Sequence, residues 1–486
     1  MNHIADRQGK NTKRQHDDLT HVLIDRLTQR LGPAAILSDP ADCLAYGVDN
    51  SRRMNQPLAV VLPSHEEEVA IAVRTLRELK RGAQGHGERP ALSLTPRGRG
   101  TGTTGAAVPN ANGVVISFER MRQIIEVDPD NRWLVAQPGV TNAEVQTAAH
   151  EHGLFWPPDP TSSAFCTIGG NIAHNSAGPH AVKYGTTRDN TLGLRAVTGA
   201  GDIIRTGVHT TKGVVGYDLT RLLIGSEGTL ALTTEATLRL SPKPAATRLL
   251  LARFTSVSGA SQAIIRIMRQ PVTPSTLEFM DQAAVRLMRD PGGVGIPAAV
   301  NALLMIEVDG TPETLDAAAA AITAAAQGPD CHDVLAAKST IERDEIWAVR
   351  KALSPTLRSI APKKINEDIA VPVAQIATLT ARLDDMATRH RIRIAAFGHA
   401  GNGNLHVNLL IDPDDADEAQ RAEDCLAELF RVVLELRGTL SGEHGVGLAK
   451  RAYIGAELDP TSVRLMYELK RVFDPDGLLN PDKTLP

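Results

Sequence analysis

Aromatic side chains are scarce: Phe, Trp and Tyr make up only 3% of the 486 residues. So few rings leave no stacking platform for bases, which argues against single-stranded nucleic-acid binding. Charge of one sign is lacking too. With 52 Lys and Arg against 56 Asp and Glu, the formal charge of -4 provides no basic footprint for nucleic acid or an anionic membrane. Cysteine is sparse and scattered (Cys43, Cys166, Cys331, Cys425), and no C-x-x-C occurs. That argues against a Cys-ligated iron–sulfur cluster or zinc ribbon within the chain and fits a reducing compartment. No apolar run approaches the roughly 20 residues that span a bilayer. The polar N-terminus MNHIADRQGKNTKRQHDD lacks the apolar core of a secretory signal. The expected location is cytoplasmic, with peripheral attachment to the inner membrane through a partner left open.

What is present is an ordinary globular composition, 42% hydrophobic, in a chain long enough for two or three domains. Residues 1–54 read as a charged leader followed by a helix with apolar spacing at Leu19, Val22, Leu23 and Leu27. Short strands, glycines and turn-linked pairs crowd residues 55–243. PLAVVLP, LSLTPRG and GVVISF read as strands. IIEV-DPDN-RWLVAQ and LGLRAVT-GAGD-IIRTG read as hairpins. Ser64 with Glu67, and Thr141 with Glu144, read as capping boxes. Residues 244–435 alternate strands and helices, a second α+β unit. Residues 436–486 form a C-terminal segment with helices expected near 447–456 and 459–473.

Two glycine-rich loops and a third turn carry chemistry. PRGRGTGTTGAAVP (96–109) follows a strand, and its glycines expose backbone N–H groups in a run that suits phosphate. It has no Gly-Lys-Ser/Thr and no following helix, so it is neither a P-loop nor a Rossmann turn. Alone, it also reads as a flexible turn. PPDPTSSAFCTIGGNIAHNSAGPHAVKYGTTRDN (157–190) is hard to bury unless something satisfies its polar backbone. A bound cofactor does that; a surface Ω-loop is the alternative. GSEGTLALTTEATLRL (225–240) is a Gly-rich turn feeding a strand.

FGHAGNGNLHVNLLI (397–411) sets His399 and His406 on either side of a Gly-Asn-Gly turn, a hairpin that can bring two imidazoles to one face. SGEHGVGLAKR (441–451) adds Glu443 and His444. Two imidazoles and a carboxylate make a three-ligand set with open positions for substrate. Either histidine alone would read as structural.

In this order, PRGRGTGTTG, PPDPTS, GGNIAHNSAG, KYG and GSEGTL resemble the FAD-linked oxidases related to vanillyl-alcohol oxidase. The branch they resemble holds FAD-linked D-lactate dehydrogenase, the glycolate oxidase flavoprotein subunit and D-2-hydroxyglutarate dehydrogenase. The resemblance covers about 55 to 486. It implies an α+β fold: a two-part FAD-binding domain, an α+β substrate (cap) domain, and a C-terminal segment returning to the FAD domain. Arg97, Gly98, Gly100, Thr101, Gly102 and Thr104 would cradle the FAD pyrophosphate. Pro158, Asp159, Ser162, Gly169, Asn171, Asn175 and Gly178 would line the flavin and ribityl chain. Glu227, Gly228 and Thr229 would lie by the adenosine half, and Asn480 would return to the flavin site. The first loop has no histidine to tether the flavin, so FAD is expected to be non-covalent.

By the same resemblance His399, His406 and Glu443 would hold a divalent metal, zinc or manganese, and His444 would be the base. Arg350, in EIWAVRKALSPTLR, carries a guanidinium fork suited to the carboxylate of a 2-hydroxy acid. It also reads as a solvated helix charge. Asn408 matches a position near the substrate. Lys364, or Asn366 in an alternative register, falls where relatives acting on dicarboxylates carry a lysine; a second cation would favour a dicarboxylate. The implied reaction is oxidation of a D-2-hydroxy acid, D-lactate ahead of D-2-hydroxyglutarate and glycolate. Electrons would pass to a cytochrome, quinone, electron-transfer flavoprotein or separate iron–sulfur subunit, since no nicotinamide fingerprint is present. A homodimer is compatible with the sequence. Two alternatives stay open: an oxidase of a different alcohol, and a non-catalytic subunit that kept the fold.

Overall fold

The computed structural model describes residues 19–82, 92–289 and 295–486; the N-terminal leader expected over the first residues lies outside them. A helix over 19–31 buries Leu23 and Leu27 against a four-stranded sheet. Its strands run in the order Ile36–Leu37, Ala59–Val61, Gly113–Ser117, Ser93–Arg97, the last three parallel. All three residues of Ala59–Val61 are fully buried, as a short continuous apolar run requires of a strand covered on both faces.

The helix Glu66–Gly82 follows, with one correction to its cap. The backbone N–H and hydroxyl of Ser64 both donate to Glu68, at 2.6 and 2.8 Å, not to Glu67. The helix begins at Glu66, so Glu68 occupies the third turn position that reaches back. The second box, Thr141 with Glu144, forms as expected and starts the helix Asn142–His150.

A five-stranded antiparallel sheet contains both expected hairpins, Ile124–Asp128 with Trp133–Ala136 and Thr191–Thr198 with Ile203–Gly207, joined through Ala231–Arg239. The later part of the chain builds a seven-stranded antiparallel sheet. Its order is Cys331–Ala336, Ala246–Phe254, Ala302–Gly310, Thr276–Met280, Arg393–His399, Asn404–Ile411, Lys363–Ala370. Strand parity sorts its two faces. Leu277, Phe279, Leu405, Val407, Leu409 and Ile369 face a core shared with the helices Val257–Arg269, Pro312–Ala326, Ile376–His390 and Ala416–Glu435. Their neighbours Glu278, His399, His406 and Asp368 fall on the opposite face, beneath the helix Thr340–Ile360, whose Ile346, Leu353 and Leu357 pack beside Met280 and Phe397.

The C-terminal segment leaves this sheet and returns to the first. Leu478 and Leu479 are fully buried in the first core, and Leu479 pairs alongside Leu94. The helix expected near 447–456 is absent over its first half. Helical structure there is a 3-10 turn Arg451–Tyr453 and a short helix Ile454–Glu457. Gly445 and Gly447 take φ of 82° and 50°, and the N–H groups of Val446 and Gly447 go to the Glu227 carboxylate instead of helical carbonyls.

Candidate active site

A cavity of about 870 Å³ lies where the Gly-rich loops meet the polar face of the seven-stranded sheet. From the first loop Arg97, Gly98, Gly100, Thr101 and Gly102 line it. The backbone N–H groups from Gly98 to Gly102 find no acceptor among the described residues. Approach is close here. A Cβ on Gly98 would meet the Thr167 hydroxyl at 2.4 Å, and Gly100 has φ +67° with the Arg97 guanidinium 2.5 Å from where its Cβ would be. Arg97 itself does not offer a free charge. Its guanidinium donates to the carbonyls of Val48 and Ala45, and burial lowers its pKa. It therefore shapes the loop. Thr104 lies outside the lining; its carbonyl accepts from Leu448 and Ala449.

From the second loop Asp159, Ser162, Gly169 and Asn171 line the cavity, whereas Pro158, Asn175 and Gly178 stand behind it. The Pro158 carbonyl accepts from Asn142 at 2.9 Å. Asn175, at φ +52°, ends the helix Ile168–His174 and accepts from the Arg188 N–H. The Gly178 N–H donates to Glu443 at 2.9 Å, tying this loop to the C-terminal motif. Glu227 and Gly228 reach the lining and Thr229 does not. The carboxylate of Glu227, expected by the adenosine half, is spent on Val446, Gly447 and Thr484. Asn480 is buried between the first and third loops, donating to the carbonyls of Ala106 and Glu227.

Unsatisfied polar groups cluster at and behind this side of the cavity. His174 Nδ1, on the lining, and Asp49 Oδ2 and Thr104 Oγ1, behind it, are buried without a hydrogen-bond partner, around glycines 102, 445 and 447; His174 Nδ1 lies 3.9 Å from Glu227 Oε1. Orphaned buried polar atoms of this kind cost about 1–3 kcal/mol each unless a ligand or water meets them. The free amide hydrogens of Gly98 to Gly102, on the lining, fit a phosphate-bearing cofactor such as FAD.

On the opposite side the hairpin of Arg393–His399 and Asn404–Ile411 places Phe397 opposite His406. This brings the two imidazoles to one face, 5.4 Å apart and near perpendicular. Glu443 Oε1 lies 3.3 Å from His399 Nε2 and 3.6 Å from His406 Nε2. The ring of His444 stacks on that of His406 at 5.2 Å. Burial opposes ionisation of Glu443, but His399 and then His406 outweigh it and hold the carboxyl at about 2. Burial and the neighbouring His444 push His406 down to about 3. His399 moves the other way: against burial, Glu278 and Glu443 raise it well above its ordinary value.

Arg350 is buried, donates to Glu278 at 2.6 Å and lies 4.7 Å above the Phe397 ring; it is no solvated helix charge. Asn408 is fully buried beneath the lining. Its Nδ2 donates to the carbonyls of Ala395 and His406 while its Oδ1 is unpartnered. Lys364 also misses the lining and donates to the Ser354 hydroxyl at 2.7 Å. Two residues along the same strand face, Asn366 takes the lining position.

Two buried acids escaped the sequence reading. Glu278, on the strand Thr276–Met280, bonds both Arg350 and His399. Asp368 accepts the backbone N–H groups of Glu443 and His444, at 2.7 and 2.8 Å, and the Asn404 amide. The available signal was acid within a strand-like stretch, Glu278 alone in TLEFM and the adjacent Glu367 and Asp368 in NEDIAV, since such a charge must be paired once buried. His399, His406 and Glu443 bring three donor atoms together as a divalent cation would require, and Asp368, His406 and His444 form a second such group beside them.

This is the architecture of a flavin-dependent oxidase, and the comparisons agree. Residues 57–207 match the FAD binding domain family and residues 243–484 the C-terminal domain family of FAD linked oxidases, so the chain belongs to the FAD-linked oxidases. It is 38% identical over 466 residues to the glycolate oxidase subunit GlcD of Bacillus subtilis (strain 168), covering 96% of this chain and 97% of that one. It is 35% identical to a D-lactate dehydrogenase of Archaeoglobus fulgidus, covering 92% and 96%. Its fold matches the structure of p-cresol methylhydroxylase with substrate bound, at TM-score 0.77 and 16% identity, covering 96% and 97%.

Proposed function

We propose that the chain oxidises a small D-2-hydroxy acid to the 2-oxo acid, using non-covalent FAD and a divalent metal, zinc or manganese. One observation carries this reading. His399, His406 and Glu443 converge, with His444 and Arg350 beside them, in the same cavity as the glycine-rich loops.

The chain's own groups divide the work. Arg350 presents the one guanidinium edge not taken by Glu278 to the substrate carboxylate. His399, His406 and Glu443 would hold the metal, which when bound lowers the pKa of a substrate hydroxyl. His444 takes the hydroxyl proton on its imidazole. FAD supplies the acceptor for the hydride. The buried walls exclude water while this happens. Lys364 is occupied by Ser354 and Asn366 presents a neutral amide, while Arg343 and Lys351 line the cavity as further cations beside Arg350; D-lactate stands ahead of D-2-hydroxyglutarate and glycolate as substrate. Reoxidation falls to a separate acceptor: a cytochrome, a quinone, an electron-transfer flavoprotein or an iron–sulfur subunit. Among the described residues no helix is long and apolar enough to cross a membrane.

Anaerobic mixing with D-lactate, L-lactate, glycolate, D-malate and D-2-hydroxyglutarate, followed at the flavin band, tests the reading. Bleaching by D-lactate or glycolate, lost on chelation and restored by Zn(II) or Mn(II), is expected. Bleaching by none of them, or full bleaching after verified metal removal, would refute it. Acid precipitation should release the flavin to the supernatant.

A further inference from the structure

We infer that Glu278 is a positioning residue that couples the substrate-anchoring arginine to the metal-ligating hairpin; the inference rests on the metal reading above. Glu278 is 1% exposed and sits in the middle of the strand Thr276–Met280, directly opposite His399 across the ladder. Its two carboxylate oxygens are divided. Oε2 accepts from Arg350 Nη2 at 2.6 Å, and Oε1 faces His399 Nδ1 in a short contact.

Each half of this division has a consequence. A carboxylate on Nδ1 fixes a proton there, so Nε2, the nitrogen that faces Glu443, is the position a cation would take in place of a proton. The ring is thereby oriented for a cation lying between it and Glu443. A carboxylate on one Arg350 nitrogen fixes the guanidinium plane above Phe397 and leaves the rest of the fork for a ligand; its Nε is buried and unpartnered. Glu278 lines the same cavity as both. One side chain thus sets the distance between the carboxylate anchor and the metal, and with it where the carbinol of a 2-hydroxy acid can sit.

The test uses the full-length, FAD-loaded protein, stripped of metal and titrated with Co(II) as a spectroscopic probe. The variants are Glu278→Gln and Glu278→Asp. Glu278→Gln should keep its flavin, weaken Co(II) binding by about 10–100-fold and shift the cobalt d–d bands. At saturating metal it should also raise KM for the preferred 2-hydroxy acid by roughly tenfold with a smaller change in kcat. Glu278→Asp, which keeps the charge, should recover part of both. Wild-type Co(II) affinity and spectrum in flavin-loaded Glu278→Gln would overturn the inference, and so would a change in only one of the two readouts. Loss of flavin from both variants would reduce Glu278 to a core ion pair and equally overturn it. A wild-type chain that takes up no Co(II) defeats the metal reading itself, and this is seen before any variant is compared.

Discussion

At the scale of single residues, the site separates groups that do chemistry from groups that aim them. His444 has its backbone held by Asp368 and its ring stacked on His406, so its imidazole is fixed in place without being consumed. His444→Ala should slow anaerobic flavin reduction by about 10²–10⁴-fold, the usual worth of a positioned general base, with flavin content unchanged. Stopped-flow at the flavin band checks this, and an unaltered rate removes His444 from the mechanism. Arg350→Ala is expected to raise KM for the hydroxy acid far more than it lowers kcat, provided the carboxylate is bound equally in ground and transition states. It will also destabilise the fold, because it strands the buried Glu278 carboxylate, which Arg350 and, above all, His399 hold at about 2 against the cost of burial.

At the scale of elements, the turns decide where the sequence was legible. The hairpin from His399 to His406 was readable because a Gly-Asn-Gly turn leaves few ways to join two strands, and the ligand pairing follows from parity. The strand Thr276–Met280 was not readable: five residues with a central acid give no clear alternation, and only the neighbours Ala302–Gly310 and Arg393–His399 make it a strand. The 447–456 segment misled because its periodicity is helical, while Glu227, more than two hundred residues away, captures its amide hydrogens. In the first loop, Gly100→Ala should reduce retained flavin, since the new methyl would need both a left-handed φ and space held by Arg97. The ratio of flavin to protein absorbance after gel filtration checks this.

The clamp between the strand Lys363–Ala370 and the helix Thr340–Ile360 gives a pH prediction. Burial, then Arg358, lowers Lys364 to about 8 from 10.5. The folded state therefore resists the charge that the unfolded chain carries freely. The penalty is full below pH 8 and fades as pH rises toward 10.5, where the lysine is neutral in both states. Lys364→Met should accordingly raise the urea midpoint at pH 7, with the gain shrinking by pH 10. A gain independent of pH would assign the effect to packing alone.

At the scale of the whole molecule, the chain ends where it began. Leu478 and Leu479 complete the core under the first parallel sheet, and the Leu94 N–H and carbonyl pair with Leu478 and Asn480. Leu479→Ala should cost about 2–5 kcal/mol of stability, as for other fully buried leucines, measurable by denaturant unfolding and by earlier loss of flavin on heating. The general organisation, Gly-rich loops first and ligand-bearing hairpin late, was legible because each motif is local. The closure was legible only through the family resemblance, which returned the C-terminal segment and Asn480 to the first domain; periodicity and turns did not show it, since it is made of contacts between distant segments: Lys470 to the Thr229 carbonyl, and Asn480 to the carbonyls of Ala106 and Glu227.

The turn bearing Glu443 and His444 hangs from two hooks in the other half of the chain, the Gly178 amide and the Glu227 carboxylate. Grafting experiments inherit a constraint from this. A chimera joining the N-terminal half of one relative to the C-terminal half of another must match at both seams, or the acid and the imidazole will drift even though every residue of the graft is retained.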